Sequence, residues 1–323
     1  MVREGRYAAI DIGTVTCRML VADVSASPDG APHIRPIVKE YAVTNLGEGV
    51  DETRRLSAAA LGRVAEAVDG FARRLDELNT PRSPIVGTLI MATSASRDAE
   101  NADEFAALMA DRGLKLNVIS GDTEALMSFM GASSAFAGER VMVVDVGGGS
   151  TEISVGAAGE HPCFSHSFDI GCRRVTERFW DGYPPSVAAI SAARAWIREQ
   201  LECCSVEGGC TSAPLRMLAV AGTATSAVSI RERMETYDAT RVHGATVTAA
   251  ELRCIASDLA TQTLPELEHV TGLDPRRAPV IVAGMVILEE VMSAFGADGF
   301  TASESDILEG MIMYNAMAEH TGN

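Results

Sequence analysis

Residues 144–155, VDVGGGSTEISV, decide the fold of this chain. The apolar run 140–146 predicts a buried strand, three consecutive glycines predict a turn, and 151–155 predict a returning strand. In such a turn the backbone N–H groups can converge on an anion, because no side chain obstructs them. Asp145 and Glu152 flank the turn, so one acid could position Mg²⁺ while the other orients water. Turn geometry alone explains this composition poorly, and we predict a phosphate-binding hairpin.

The same pattern occurs near the start of the chain. Residues 10–21, IDIGTVTCRMLV, align with 144–155 at an offset of 134 residues, which places Asp11 on Asp145 and Gly13 on Gly147. The matched positions share both chemistry and strand context. A repeat at domain-sized separation predicts two copies of one fold that face each other across a cleft.

Strand-like and helix-like segments alternate along the rest of the chain, which predicts α/β layers rather than a helical bundle or a β-sandwich. We predict strands at 8–11, 18–24, 33–43, 86–92, 116–119, 140–146, 151–155, 161–168, 216–220 and 299–302. We predict helices at 57–78, 101–111, 123–137, 187–201, 223–233, 249–261, 276–293 and 306–318.

Composition narrows the class of protein. The 323 residues include 27 Lys and Arg against 44 Asp and Glu, a net charge of −17, which disfavours a nucleic-acid or anionic-membrane partner. The longest apolar stretch, 279–288, is shorter than the roughly 20 residues that cross a bilayer. The N-terminus has no apolar signal region, and we expect a cytoplasmic protein.

Seven cysteines include no C-x-x-C pair, and only Cys203, Cys204 and Cys210 lie close together in the sequence. An odd number of thiols spread along a long chain favours reduced, partly buried cysteines over a disulfide framework or a metal site.

A third candidate motif is residues 219–225, AVAGTAT, which follow a predicted strand and open a helix. The small residues Gly222 and Thr223 permit a phosphate or nucleotide moiety to approach the helix N-terminus closely. An ordinary strand-to-helix turn with Thr223 as its cap explains this motif equally well.

Several arginine pairs could line a path for an anionic chain, although solvated helix faces explain any single pair better. These pairs are Arg173 with Arg174, Arg231 with Arg233, and Arg276 with Arg277.

Together, the two acidic hairpins and the third turn resemble the phosphate-1, phosphate-2 and adenosine motifs of the actin, Hsp70 and sugar-kinase superfamily. Residues 91–101, MATSASRDAEN, and 118–125, VISGDTEA, are similar to the T-x-A-x-R-x-A-x-N and I-S-G-x-E-E-A signatures of the Ppx/GppA family. This family comprises exopolyphosphatases and guanosine pentaphosphate phosphohydrolases. Residues 241–244 and 303–310 resemble later blocks of the family, so the likeness to its short two-domain form spans essentially the whole chain.

The resemblance implies an α/β fold of two actin-like (ASKHA, ribonuclease H-like) domains that face an interdomain cleft. It implies a first domain at 1–128, with a C-terminal helix at about 304–323 packed back on it, and a second domain at 129–303. It also makes a homodimer plausible.

The resemblance further assigns roles to individual residues. Glu124 matches the catalytic carboxylate of the family, and Glu152 matches a second acid near the attacked phosphate. Asp11 and Asp145 match the metal-binding positions, with Mg²⁺ as the implied cofactor. The positions matched to phosphate or substrate binding are Asp11, Gly13, Thr14, Arg97, Gly147, Gly148, Gly149, Ser150, Thr151, Gly222 and Thr223.

These roles imply hydrolysis of the terminal phosphoanhydride of inorganic polyphosphate, with pppGpp as the alternative substrate. A sugar kinase or Hsp70-like ATPase would share the hairpins but would not explain the Arg97 and Glu124 signatures. The chain departs from the family at Val15 (usually Asn), Thr123 (usually Glu) and Ala221 (usually Gly). The first two departures leave room for a (p)ppGpp-binding sensor without strong catalysis.

Overall fold

A computed structural model describes residues 2–28, 30–202 and 215–317. Cys203, Cys204 and Cys210 and the end of the predicted C-terminal helix lie outside these residues. The strands are β1 (Gly5–Ile12), β2 (Thr16–Ala26), β3 (Pro32–Val43), β4 (Ile85–Ala92), β5 (Leu116–Val118), β6 (Arg140–Val146), β7 (Thr151–Ala157), β8 (Phe164–Phe168), β9 (Arg216–Val220), β10 (Thr246–Thr248) and β11 (Gly299–Ala302). The helices are α1 (Val50–Thr53), α2 (Ala58–Leu78), α3 (Ser94–Asp98), α4 (Ala102–Ala110), α5 (Gly121–Ser133), α6 (Cys172–Phe179), α7 (Val187–Glu202), α8 (Ala221–Arg231), α9 (Ala239–Val242), α10 (Ala249–Leu259), α11 (Leu264–Leu267), α12 (Ala278–Ala294) and α13 (Ile307–Met317).

The chain divides into two compact units. Unit 1 comprises Met1–Gly131 and Ile307–Asn323, and unit 2 comprises Ala132–Asp306. Each unit is built on one mixed sheet, with the order β3-β2-β1-β4-β5 in unit 1 and β10-β11-β9-β6-β7-β8 in unit 2.

The two sheets share one topology. In unit 1, β1 pairs antiparallel with β2 and parallel with β4, and β4 pairs parallel with β5. In unit 2, β6 pairs antiparallel with β7 and parallel with β9, and β9 pairs parallel with β11. The strand β10 is an addition at the edge of the second sheet. The predicted pair of actin-like α/β folds is therefore confirmed.

The central strand of unit 1 is buried on both faces, which explains its nearly continuous apolar sequence. Alternate side chains point to opposite faces of a strand. Ile10 packs into a cluster with Val64 of α2, while Ala9 packs into a second cluster with Leu308 and Met311 of α13. The last described helix of the chain thus belongs to the core of unit 1.

The longest apolar stretch of the sequence forms the core helix α12 of unit 2, which is buried along most of its length. Its one fully buried acid, Glu290, accepts hydrogen bonds from Arg194 at 2.6 Å and Arg198 at 2.5 Å, both on α7. Burial of this carboxylate is tolerated because it is paired with two guanidinium groups. Within the described residues, no helix has the length and apolarity needed to cross a membrane.

Several short elements and element ends differ from the prediction, and two of these differences bear on the second hairpin. The strand predicted at 161–168 begins at Phe164, because Pro162 has no N–H to give to a sheet. The helix α6 was not predicted, since its sequence CRRVTERF is mostly polar and too short for a clear apolar stripe.

We expect Gly310→Ala to destabilise unit 1. A Cβ at this position of α13 would collide with the backbone carbonyl of Met127 on α5, so the two helices would have to separate. Overpacking of this kind costs about 1–3 kcal/mol of unfolding free energy, measurable by urea denaturation. The matched control is Gly62→Ala on α2, where a Cβ meets nothing and should stabilise the helix by about 1 kcal/mol. Equal effects of the two substitutions would contradict this account of the packing.

Candidate active site

The signature residues of unit 1 lie at one edge of its sheet. Arg97 is on α3, directly after β4, and Glu124 is in the first turn of α5, after β5. Because β1, β4 and β5 run parallel, their carboxyl ends meet at the same edge, where Asp11 also lies near the end of β1. Ligands of open α/β sheets bind outside the carboxyl ends of the strands.

Arg97 and Glu124 are in direct contact. The guanidinium Nη1 donates to Glu124 Oε2 at 2.7 Å and to the Ile119 carbonyl at 3.0 Å. The side chains are only 21% and 11% exposed, so the ion pair is partly shielded from water. The structure thus brings together the predicted phosphate-binding cation and the predicted catalytic carboxylate.

Glu124 is further fixed by the start of its helix. The Ser120 hydroxyl accepts a hydrogen bond from the Thr123 amide at 3.2 Å and lies 2.9 Å from the Thr123 hydroxyl. The Ser120 carbonyl also accepts from the Glu124 amide at 3.0 Å. This is an N-cap, in which position N3 ordinarily favours a glutamate that reaches back to the cap. The departure at Thr123 therefore falls on a helix-capping position.

In the first hairpin, Asp11 pairs with a residue that the sequence analysis did not single out. Arg18 lies directly across from it on β2 and donates to Asp11 Oδ2 at 2.6 and 3.1 Å. Asp11 is 3% exposed, so this carboxylate is neutralised inside the protein by a guanidinium group. A metal ion at Asp11 would have to compete with that ion pair.

Val15 points into the protein interior with 5% of its surface exposed. Its carbonyl accepts hydrogen bonds from the amides of Thr44 and Asn45, and the Thr14 carbonyl accepts from the Gly47 amide. A buried apolar side chain suits this position, so the departure at Val15 is accommodated by packing. The turn carbonyls are held by the segment that follows β3.

The second hairpin differs in charge from the first. Asp145 lies directly across from Glu152. In the first hairpin, the position equivalent to Glu152 is occupied by Arg18. Both acids are buried, with 6% and 2% of their surface exposed. One hairpin therefore joins a carboxylate to a guanidinium, and the other places two carboxylates side by side.

The glycine turn of the second hairpin is anchored through its carbonyl groups. The Gly147 carbonyl accepts from the Cys172 amide at 2.9 Å, and the Gly148 carbonyl accepts from the Arg173 amide at 2.9 Å. Both donors belong to the first turn of α6, whose amides have no partner within the helix. A Cβ at Gly171 would collide with the backbone of Gly148, so only glycine permits this approach. The sequence carries no clear signal for this role of Gly171.

Ser150 and Thr151 complete the turn but are buried, at 2% and 0% exposed. The Thr151 hydroxyl donates to the Ile170 carbonyl at 2.5 Å. That hydroxyl therefore ties the hairpin to the segment before α6, although Thr151 was predicted to contact substrate.

The third turn starts α8 at the carboxyl end of β9. Ala221 has φ 62°, a left-handed conformation that favours glycine, which explains why the family has Gly there. The Arg277 guanidinium lies against Gly222, where any Cβ would collide with it. Thr223 is 4% exposed and packs against Gly284, so its hydroxyl faces α12 rather than solvent.

A small polar cluster lies beside this turn. The Tyr237 hydroxyl donates to the Glu304 carboxylate, and the Glu304 amide donates to His243 Nδ1 at 3.2 Å. Desolvation and the adjacent Glu304 carboxylate raise the pKa of Tyr237, while the charge of Arg277 acts against that rise. The tyrosine is 49% exposed, which leaves part of its ring open to a ligand.

The donor set suits a hard divalent cation at the second hairpin. Mg²⁺ prefers oxygen ligands and is typically held by one or two carboxylates together with substrate phosphates and water. Asp145 and Glu152 supply two adjacent carboxylates of that kind. Among the described residues there is no group of three or more His, Cys, Asp or Glu side chains that could hold a metal.

Two lobes of one topology, each with an acidic hairpin at the carboxyl edge of its sheet, define the actin-like class of phosphoryl-transfer proteins. The model of the Ppx/GppA phosphatase family matches residues 23–319. The chain belongs to this family and is accordingly a phosphoanhydride hydrolase.

Known proteins resemble the chain over nearly its whole length. Exopolyphosphatase 2 of Mycobacterium tuberculosis is 36% identical over 325 residues, which cover 95% of this chain and 98% of that protein. The guanosine-5'-triphosphate,3'-diphosphate pyrophosphatase of Photobacterium profundum is 28% identical over 97% of this chain and 60% of its own length. The crystal structure of an exopolyphosphatase-like protein aligns with a TM-score of 0.87 and 29% identity, covering 96% of this chain and 97% of that one.

We expect Thr123→Glu to leave the kcat for phosphoanhydride hydrolysis within about twofold of wild type, because residue 123 belongs to a helix cap. The new carboxylate should accept from the Ser120 amide and raise the melting temperature slightly. Ser120→Ala, which removes the capping hydroxyl, should lower stability by about 1 kcal/mol. A tenfold or larger change in kcat in Thr123→Glu would instead show that position 123 acts on the substrate.

Proposed function

We propose that the protein is a Mg²⁺-dependent exopolyphosphatase that hydrolyses the terminal phosphoanhydride of inorganic polyphosphate. The contact between Arg97 and Glu124 carries this proposal, because it joins a guanidinium that can bind a phosphate oxygen to a carboxylate that can accept a proton. The similarity to Exopolyphosphatase 2 supports it, since that relative matches over almost all of both chains.

Hydrolysis requires neutralisation of the phosphoryl oxygens and a water molecule held in line with the leaving group. The Gly147 amide already donates to the Ser150 carbonyl at 3.0 Å, so the amides of Gly148 and Gly149 would meet the first requirement. They can do so because the carbonyls of Gly147 and Gly148 are bound by α6. Arg97 serves it as well, since a guanidinium has five N–H donors and can bind a phosphate oxygen while keeping its hydrogen bond to Ile119.

Glu124 holds the attacking water and accepts its proton. When a phosphate oxygen accepts a hydrogen bond from Arg97 in place of Glu124, the ion pair between Arg97 and Glu124 weakens. The Glu124 carboxylate then becomes a better base, because a nearby positive charge stabilises it less. Binding of the substrate and activation of the base are thereby coupled through one arginine.

Asp145 and Glu152 would hold Mg²⁺, which neutralises charge on the phosphoryl oxygens when bound. The ion pair with Arg18 makes Asp11 the weaker ligand, so we assign the metal chiefly to the second hairpin. Asp11 keeps Arg18 oriented at the edge of the first sheet.

The alternative substrate is pppGpp, whose 5'-terminal phosphoanhydride requires the same chemistry. The cluster beside the third turn favours it, because the half-exposed ring of Tyr237 near Arg277 could stack against a base. Inorganic polyphosphate has no base and would leave that ring unused.

The two substrates can be separated with purified protein. We expect kcat/KM for phosphate release from polyphosphate to exceed that for pppGpp, and Tyr237→Ala to leave the polyphosphate value within about twofold. A higher kcat/KM for pppGpp that falls about tenfold or more in Tyr237→Ala would establish the nucleotide as the preferred substrate.

Glu124→Gln should lower kcat by about 100- to 10,000-fold, the usual contribution of a general base. The matched control is Asp122→Asn, an exposed acid in the same helical turn, which should retain wild-type kcat. Phosphate release is measured at saturating substrate for both variants. Tight nucleotide binding without phosphate release, unchanged by Glu124→Gln, would support a sensor and contradict hydrolysis.

A further inference from the structure

The strand β8, which pairs with β7 of the second hairpin, contributes a polar side chain beside the two acids Asp145 and Glu152. Glu152 on β7 lies between Asp145 on β6 and Ser167 on β8, each directly across from it in the sheet. The Ser167 hydroxyl donates to Glu152 Oε1 at 2.7 Å. The proposed metal-binding pair is therefore supported from the side opposite to Asp145.

This hydrogen bond acts on a carboxylate that is almost completely buried. Glu152 is 2% exposed, so bulk water contributes little to its orientation. A donor on one oxygen restricts rotation of the carboxylate plane, and groups that support a metal-binding carboxylate in this way often affect metal affinity or activity 10- to 100-fold.

A pair of serines that lies two residues further along the same two strands provides an internal comparison. Ser154 on β7 and Ser165 on β8 lie across from each other, with their hydroxyl oxygens 2.9 Å apart. They occupy the same face as Glu152 and Ser167, since side chains two residues apart point the same way. The Ser154–Ser165 contact links the same two strands without a carboxylate, whereas the Ser167 hydroxyl donates to one. A comparison of the two pairs therefore separates an effect on Glu152 from an effect on strand pairing.

We propose that Ser167 is a positioning residue that holds the Glu152 carboxylate in the orientation needed to bind the divalent cation, an inference that rests on the function proposed above. It differs from the predicted site residues because it touches neither the substrate nor the metal. Its hydroxyl acts only through Glu152.

The test compares Ser167→Ala with Ser165→Ala and Ser167→Thr. Mn²⁺ binding is measured by electron paramagnetic resonance on substrate-free protein, because Mg²⁺ gives no signal. We expect Ser167→Ala to weaken Mn²⁺ binding about tenfold and to lower kcat at least tenfold, with KM at saturating metal changed less than about twofold. Ser167→Thr, which keeps the hydroxyl, should restore both values, and Ser165→Ala should leave both at the wild-type level.

The outcomes separate this inference from the proposed function. Wild-type Mn²⁺ affinity and kcat in Ser167→Ala would overturn the role of Ser167, as would an equal loss in Ser165→Ala, which would indicate general weakening of the sheet. Melting temperatures of all variants identify such weakening. If the wild-type protein releases phosphate from neither polyphosphate nor pppGpp, the proposed function fails, while Mn²⁺ affinity still decides the role of Ser167.

Discussion

Both hairpin turns depend on the same constraint. The carbonyl groups of the turn must be bound by another segment, so that they do not face an approaching anion. In unit 2 the first amides of α6 bind the carbonyls of Gly147 and Gly148, and in unit 1 the segment after β3 binds those of Thr14 and Val15. An anion cannot approach a turn whose carbonyl oxygens face it, because the charges repel. The packing of a following segment therefore decides whether a glycine-rich turn can present its amides to an anion.

The two hairpins show how a duplicated fold can divide its chemistry. Both keep an aspartate near the end of the first strand, but the residue across from it is Arg18 in one copy and Glu152 in the other. The first pair is neutral as a whole and leaves a guanidinium at the edge of the sheet. The second pair concentrates negative charge, which is costly in a buried place unless a cation compensates it. The topology is shared, while the residue across from the aspartate changes the charge of the pair.

Much of the fold follows from sequence pattern, since hydrophobic periodicity and the repeated Asp-x-Gly motif indicate both sheets. The supporting contacts do not, because they depend on segments brought together in space. Gly171 matters only because it approaches Gly148, and Ser167 only because strand register places it opposite Glu152. Likewise, Thr151 is of a residue type that suits a phosphate site, but its hydroxyl donates a hydrogen bond to the Ile170 carbonyl. Motifs identify the residues that carry chemistry, and tertiary packing identifies those that hold them.

The net charge of −17 is compatible with an anionic substrate because the important cations are local and ordered. Arg97 is held by Glu124, and Arg18 is held by Asp11. An arginine that is already held in place would lose little side-chain entropy on binding a phosphate. The acidic surface instead slows long-range encounter with a polyanion, as a repulsive field does. An arginine that is already paired with a carboxylate favours a ligand that can compete with that carboxylate, which a phosphate oxygen can do and a neutral ligand cannot.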